Sequence, residues 1–215
     1  MKTVSLAIVL CLVCAIVTAG QEGSKKLMFK GTKAGELPKG WKIEKTGKGT
    51  GGDWKIVEDK DAEGGLALAQ SKADKKALFN ICVSEGTSYK DIDLTVRFKA
   101  IAGETDQGGG PVWRFQDGNN YYVARMNPLE DNFRLYKVVA GKRIELASAD
   151  IEAKTGIWHT IRIVHKGDHI ECYLNGKKHL DFKDATFQDA GKVGVWSKAD
   201  AQTYFANLQI TAKRE

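Results

Sequence analysis

Three features of the 215-residue sequence predict an all-β protein, an antiparallel two-sheet jelly-roll β-sandwich. Short runs of alternating apolar and polar residues recur at close spacing. Turn-forming residues separate the runs, and no helical period persists beyond a turn or two. The stretch from Asp106 to Arg143, DQGGGPVWRFQDGNNYYVARMNPLEDNFRLYKVVAGKR, carries all three features as a β-meander. A chain of antiparallel strands must hide its sheet edges, and two stacked sheets curled into a jelly roll do so at this length.

Residues 1–19 read as an export signal. Lys2 supplies a positive n-region, Val4 to Val17 is an apolar run too short to span a bilayer, and Val17-Thr18-Ala19 offers a small-residue exit. Cys11 and Cys14 follow the bulky residues Leu10 and Val13, which disfavours lipid modification. Removing 19 of the 215 residues leaves 196 and, with Lys2 the one charge lost, takes the net charge from +6 to +5. The mature chain is therefore expected outside the cytoplasm, periplasmic or secreted, without a stable membrane span. Residues 20–53 form an N-terminal segment with an edge strand at Leu27-Met28-Phe29 and a Gly-rich loop, and residues 54–215 form the sandwich. The loop, Gly47-Lys48-Gly49-Thr50-Gly51-Gly52, lacks the Gly-Lys-Ser/Thr ending of a phosphate loop.

Strands are expected near 54–58, 66–70, 78–83, 92–101, 111–116, 121–127, 133–139, 143–147, 158–165, 170–174, 192–196 and 204–211. Asp117-Gly118-Asn119-Asn120, Ala140-Gly141, Lys166-Gly167-Asp168 and Asn175-Gly176 supply the turns. A short helical turn is expected at 149–154. Leu94, Val96, Phe98, Trp113, Phe115, Leu208 and Ile210 are assigned to the inter-sheet core, with Arg97, Arg114 and Arg125 facing out. Alternation puts Cys172 with Ile170 and Leu174 on an apolar face, and Cys82 opposite Phe79, Ile81 and Val83. A disulfide and two separate buried thiols both remain open.

The motifs resemble a bacterial exported domain family. They are Asp106-Gln107-Gly108-Gly109, Val112-Trp113-Arg114-Phe115-Gln116-Asp117, Asn119-Asn120-Tyr121-Tyr122-Val123-Ala124-Arg125, Leu129-Glu130-Asp131-Asn132, Leu135-Tyr136-Lys137-Val138, Gly141-Lys142-Arg143, and 191–200 with Tyr204-Phe205. The family lies in the concanavalin A-like lectin/glucanase superfamily, close to the 3-keto-disaccharide hydrolase-like domain of unknown function. The resemblance implies a jelly roll with a sugar-handling face. Where the family pattern carries an acidic pair, this chain has Ala206 and Asn207, so no acid or metal role carries over there.

The candidate binding residues are Arg114, Arg125, Asn127 and Asn132, whose donors and amides suit sugar hydroxyls, with Tyr121 and Tyr136 to stack on a pyranose. Their structural alternative is turn shaping and cross-strand ion pairing. Glycosidase chemistry needs two carboxylates across a cleft. Glu130 and Asp131 are adjacent in one loop, and Asp93 and Glu171 lie on separate strands, so no catalytic residue is assigned. Asp59, Asp61 and Glu63 alternate like calcium ligands but lack an acid twelve places on, where Gln70 stands. His165 and His169 flank a turn at differing parity and are expected in solvent. No metal and no cofactor is expected. The charge is mixed and no long Lys/Arg run is present, so nucleic acid is not expected as a partner. The sequence leaves the oligomeric state unknown. The expected function is an exported, non-catalytic carbohydrate- or envelope-binding module. The alternatives are a glycoside hydrolase-like enzyme acting on keto-disaccharides or related glycans, and a structural interaction domain.

Overall fold

Alternation in the sequence becomes two antiparallel sheets in the computed structural model, which describes residues 22–27, 29, 31–49, 51–71 and 79–213. The expected leader, Met28, Thr50 and Leu78 lie outside these residues. The strands are β1 (Glu22–Leu27), β2 (Trp41–Thr46), β3 (Trp54–Glu58), β4 (Leu66–Gln70), β5 (Phe79–Tyr89), β6 (Ile92–Ala102), β7 (Gly109–Asp117) and β8 (Asn120–Asn127). They continue as β9 (Asn132–Val139), β10 (Lys142–Asp150), β11 (His159–Lys166), β12 (His169–Leu174), β13 (Lys177–Lys183), β14 (Gly191–Lys198) and β15 (Gln202–Lys213).

The first sheet runs β13-β12-β11-β6-β15-β4-β3. A bulge at Ala206–Gln209 lets β15 pair β4 with its first half and β1 with its second. The second sheet runs β10-β9-β8-β7-β14-β5-β2. The sequence reading missed β2 and β13. Both are edge strands, β2 with Lys42, Glu44 and Lys45, β13 with Lys177, Lys178 and Asp181, and such charge guards an open edge while blurring its apolar signal. The helical turn expected at 149–154 is absent: β10 runs on to Asp150, paired with Asn132, and irregular chain follows.

Leu94, Val96, Phe98, Trp113, Leu208 and Ile210 fill the inter-sheet core with Phe133, Leu135, Ile161, Ile163 and Phe205, as their alternation requires. Phe115 departs from that expectation. Arg114 adopts φ 43°, and the ladder slips between Trp113, opposite Tyr122, and Asp117, opposite Asn120. This bulge resets the parity of β7. Trp113 points into the core, while Phe115 joins Val112 on the opposite face, stacked on Tyr121 at 5.7 Å.

Arg114 was expected in solvent and is 1% exposed. Its Nε donates to the Lys90 carbonyl at 2.8 Å, Nη1 to the Phe187 carbonyl at 2.7 Å and Nη2 to the Gly167 carbonyl at 2.8 Å. One planar guanidinium thus ties three loops to the bulge. Gly191 packs against it so closely that a Cβ would sit 2.4 Å from the Arg114 carbonyl carbon. Arg97, by contrast, is half-buried on the outer face of the first sheet, over the Trp158 ring at 4.9 Å.

His165 corrects another expectation, being fully buried between the sheets. Trp113 Nε1 donates to its Nδ1 at 2.9 Å, which leaves the ring proton on Nε2. Burial, reinforced by the Arg114 charge and opposed by Asp91 and Asp184, pulls its pKa down to about 3. Nearby, Tyr122 donates to Asp184 at 2.5 Å and Lys137 pairs with the same carboxylate at 2.6 Å. Cys82 and Cys172 are free thiols, both in the inter-sheet core, where burial pushes their pKa up. The bridge left open by the sequence is not formed.

Arg114→Lys keeps the charge but loses the planar fork that reaches three carbonyls at once. Urea unfolding is expected to register a loss of about 2–4 kcal/mol. His165 generates a pH signature: the unfolded ring takes its proton near the ordinary value of 6.5, the folded ring only near 3. Between these values the unfolded state binds more protons, so stability falls as pH is lowered through the window. From pH 7 to 4.5 this group contributes a loss of about 2.5 kcal/mol. His165→Asn, whose amide oxygen sits where Nδ1 accepts from Trp113, is expected to flatten that slope in denaturation midpoints measured across the range; an unchanged slope assigns it to other groups.

Candidate functional site

The second sheet is apolar on both faces, and its outer face is strongly concave. Arg143 on β10 and Phe79 on β5 are five strands apart, about 24 Å in a flat sheet. Yet the Arg143 guanidinium lies 5.1 Å from the Phe79 ring centre. Side-chain reach closes roughly half of the flat-sheet gap, and curvature must supply the rest. At the other edge, the Thr46 hydroxyl of β2 bonds the Tyr121 hydroxyl of β8 at 2.8 Å and donates to the Gly118 carbonyl in the β7–β8 turn. The curl encloses Ile81, Val83, Val112, Phe115, Tyr121, Val123, Tyr136, Val138 and Trp196. Trp196 stands opposite Gly110 in the ladder, and a Cβ at Gly110 would lie 1.9 Å from the Ala124 carbonyl oxygen.

Five of the six candidate residues share this concave face. Tyr121, Arg125 and Asn127 alternate along β8, and Asn132 and Tyr136 share one parity on β9, with Asn127 opposite Asn132 and Arg125 opposite Arg134. Arg114 is the exception, for the bulge turns it away from this face into the loop clamp. Both tyrosines differ from the stacking role expected of them. Tyr121 is fully buried, accepts from Trp196 Nε1 at 3.3 Å, and is pushed up to about 12 by burial. Tyr136 is 2% exposed, with the Arg143 guanidinium 4.5 Å above its ring and its hydroxyl accepting from Arg134 at 3.4 Å. The rings form a floor; the polar groups at its margin form the mouth.

That mouth is built from paired charges. Arg125 is 1% exposed and donates from Nη2 to Glu130 at 2.6 Å and to Asn132 at 3.0 Å. Asn132 also donates to the Glu130 carboxylate at 3.2 Å. Partial desolvation opposes ionisation of Glu130, but Arg125, the Asn132 hydrogen bond and Lys198 hold it below the ordinary carboxylate range. Lys198 pairs with buried Asp106 at 3.0 Å, and Asp106 accepts from Gly108 N at 2.6 Å and Asn127 at 3.4 Å. Asp200 fixes the same loop by accepting from the backbone N–H groups of Glu104, Thr105 and Asp106. Arg134 lies 3.5 Å from Glu145. Chemically, the mouth offers alternating charged donors and acceptors above an aromatic base.

Sequence reasoning missed Arg134, Arg143, Glu145, Trp196, Lys198 and Asp106. Arg134 was legible, since it shares parity with Asn132 and Tyr136. Arg143 and Glu145 follow from carrying that parity through the Ala140-Gly141 hairpin. Lys198 and Asp106 had no local signal, because they are 92 residues apart in the chain.

The other acidic candidates are engaged elsewhere. Asp93 is bidentate to Arg162 at 2.7 and 2.6 Å, and Glu171 pairs with Lys178 at 2.8 Å. They face out from the first sheet with Val164 between them in register, about 10 Å apart, and both are neutralised. His169, Glu171 and Asp181 offer donor atoms within 4.8 Å of one another, the one such trio among the described residues, but Lys178 already bridges both carboxylates. Asp59 pairs with buried Lys99, and Glu63 with Lys26. Asn207 donates to Glu63 at 2.6 Å. A cleft of about 230 Å³ beside the Arg114 clamp is lined by Lys90, Gly167, Asp168, Ala185 and Gln188.

The fold is shared with solved structures. A carbohydrate-binding module, CBM66, from Bacillus subtilis superposes with TM-score 0.66 at 19% identity, covering 80% of this chain and 96% of its own. A Bacteroides ovatus mixed linkage glucan PUL GH16, in complex with product, gives TM-score 0.61 at 12% identity, covering 86% and 99%. A protein of unknown function with a galectin-like fold from Bacillus subtilis gives 0.55 at 12% identity, covering 81% and 90%. No curated protein is significantly similar in sequence. With residues 26–211 matching its family model, the chain belongs to the 3-keto-alpha-glucoside-1,2-lyase-like domain family, on a concanavalin A-like sandwich.

Proposed function

We propose that this protein is an exported, non-catalytic glycan-binding module whose ligand seats in the mouth of the curled second sheet. The observation that carries the reading is the constellation of Arg134, Glu145, Arg143, Glu130 and Lys198 around one concave face. Sugar hydroxyls both donate and accept, and alternating guanidinium, ammonium and carboxylate groups answer them in both senses. Glu130 supports binding over hydrolysis. Held ionised by Arg125 and Asn132, it is an acceptor, whereas glycoside hydrolysis requires a carboxyl that is still protonated. The leader pattern of residues 1–19 adds export to the reading, and the carbohydrate-binding module and the GH16 structure with product add precedent for glycans on this sandwich. Among the described residues no helix is long and apolar enough to cross a membrane.

A second reading is favoured by the family itself: elimination or hydrolysis on a 3-keto-glycoside. An ionised Glu130 is the form a proton-abstracting base would need.

Calorimetric titration against a panel of oligosaccharides tests the first reading. Arg134→Gln and Glu145→Gln, both partly exposed, are each expected to weaken binding about tenfold, on the order of 1.4 kcal/mol; wild-type affinity in both would remove this face from the proposal. Incubation with disaccharides and their 3-keto derivatives separates the two readings, because turnover excludes a pure binder and its absence, with binding retained, excludes the lyase.

A further inference from the structure

At the β8–β10 end of the mouth and beside it on β14, three cations have a carboxylate partner: Arg125 with Glu130, Arg134 with Glu145, Lys198 with Asp106. Arg143 has none. Its guanidinium lies over the Tyr136 ring at 4.5 Å and the Phe79 ring at 5.1 Å, and its Nη1 is buried without a hydrogen-bond partner. Ring faces attract the cation but accept none of its N–H bonds in the guanidinium plane, and a buried charged donor left unmade is costly. Glu145, two residues along the same strand, is drawn toward Arg134. Lys192, opposite Phe115, adds a second cation to the face without a carboxylate among the described residues, but only Arg143 holds its charge as a planar fork against ring faces.

We infer that the ligand of this face is an acidic glycan, whose carboxylate or sulfate group is received by the unpartnered fork of Arg143 above Phe79 and Tyr136. A planar two-oxygen anion matches that fork in geometry and charge, and a neutral sugar hydroxyl supplies only part of the pairing. The low-dielectric floor strengthens the contact beyond that of a solvated surface arginine. The inference rests on the glycan-binding reading of the same face and sharpens it to a substrate class.

The test is titration of the full chain with polygalacturonate, with a sulfated glycosaminoglycan, and with a neutral mixed-linkage glucan, at fixed ionic strength. The wild type is expected to bind at least one of the acidic polymers tenfold or more tighter than the neutral glucan. The arm that binds identifies a carboxylate or a sulfate as the anion. Arg143→Gln is expected to bring the acidic-to-neutral ratio close to one, and Arg143→Lys, which keeps charge but not the fork, to leave it intermediate. Lys183→Gln, which removes one positive charge from the other sheet, controls for net charge and is expected to leave the ratio unchanged. Equal binding of acidic and neutral polymers by the wild type, or a ratio that falls as far in Lys183→Gln as in Arg143→Gln, overturns the inference and leaves glycan binding standing. Binding of none of the polymers overturns both. Thermal melts of each variant against wild type separate loss of the fork from loss of the fold.

Discussion

The buried guanidinium of Arg114 is the constraint on which both the packing and the site depend. Its left-handed backbone creates the bulge that sends Trp113 and Phe115 to opposite faces of one strand. Its side chain spends three donors on carbonyls from the β5–β6 turn, the β11–β12 turn and the segment before β14. A lysine could meet the charge but not the planar three-way geometry. Without the bulge, Phe115 would fall on the core side and the curl would lose the ring that stacks on Tyr121.

Both faces of β7, β8 and β14 are apolar, and a sheet in that condition has two faces to hide. Stacking on the first sheet buries one. Coiling buries the other, drawing β2 and β10 toward the middle strands until Thr46 reaches Tyr121 and Arg143 reaches Phe79. The aromatic residues inside are thereby structural first. They also set a low-dielectric base beneath the charged groups, which makes each pairing around the mouth count for more than on open surface.

Both sheets hold a buried ion pair, Lys99 with Asp59 on the outer face of the first, but most charge on that face is paired in solvent. On the outer face of the first sheet, Arg162 with Asp93 and Lys178 with Glu171 and Asp181 close into neutral pairs at the surface, where each adds little to stability. On the second sheet the pairs are rooted at buried side chains, Arg125 and Asp106, so their geometry is held by the fold. Their grouping around one concave face is what supports the second sheet as the proposed recognition surface.

The sequence by itself determined the sandwich. Period-two alternation with Gly, Asn and Asp turns leaves few other ways to bury Leu94, Val96, Phe98 and Ile210, and most strands could be read within a few residues of their ends. The edge strands β2 and β13 were obscured because edges are charged by necessity. The co-location of Tyr121, Arg125, Asn127, Asn132 and Tyr136 was also legible, since parity along β8 and β9 is a local property. Tertiary structure alone decided the rest. A single residue with positive φ inverted the parity after Trp113, burying Arg114 and moving Phe115. Long-range closure put His165 against Trp113 and Lys198 against Asp106. Curvature accumulated over seven strands set Arg143 above a phenylalanine five strands away. Alternation is written in neighbouring residues, but bulge, closure and curl are settled by contacts between residues far apart in the chain.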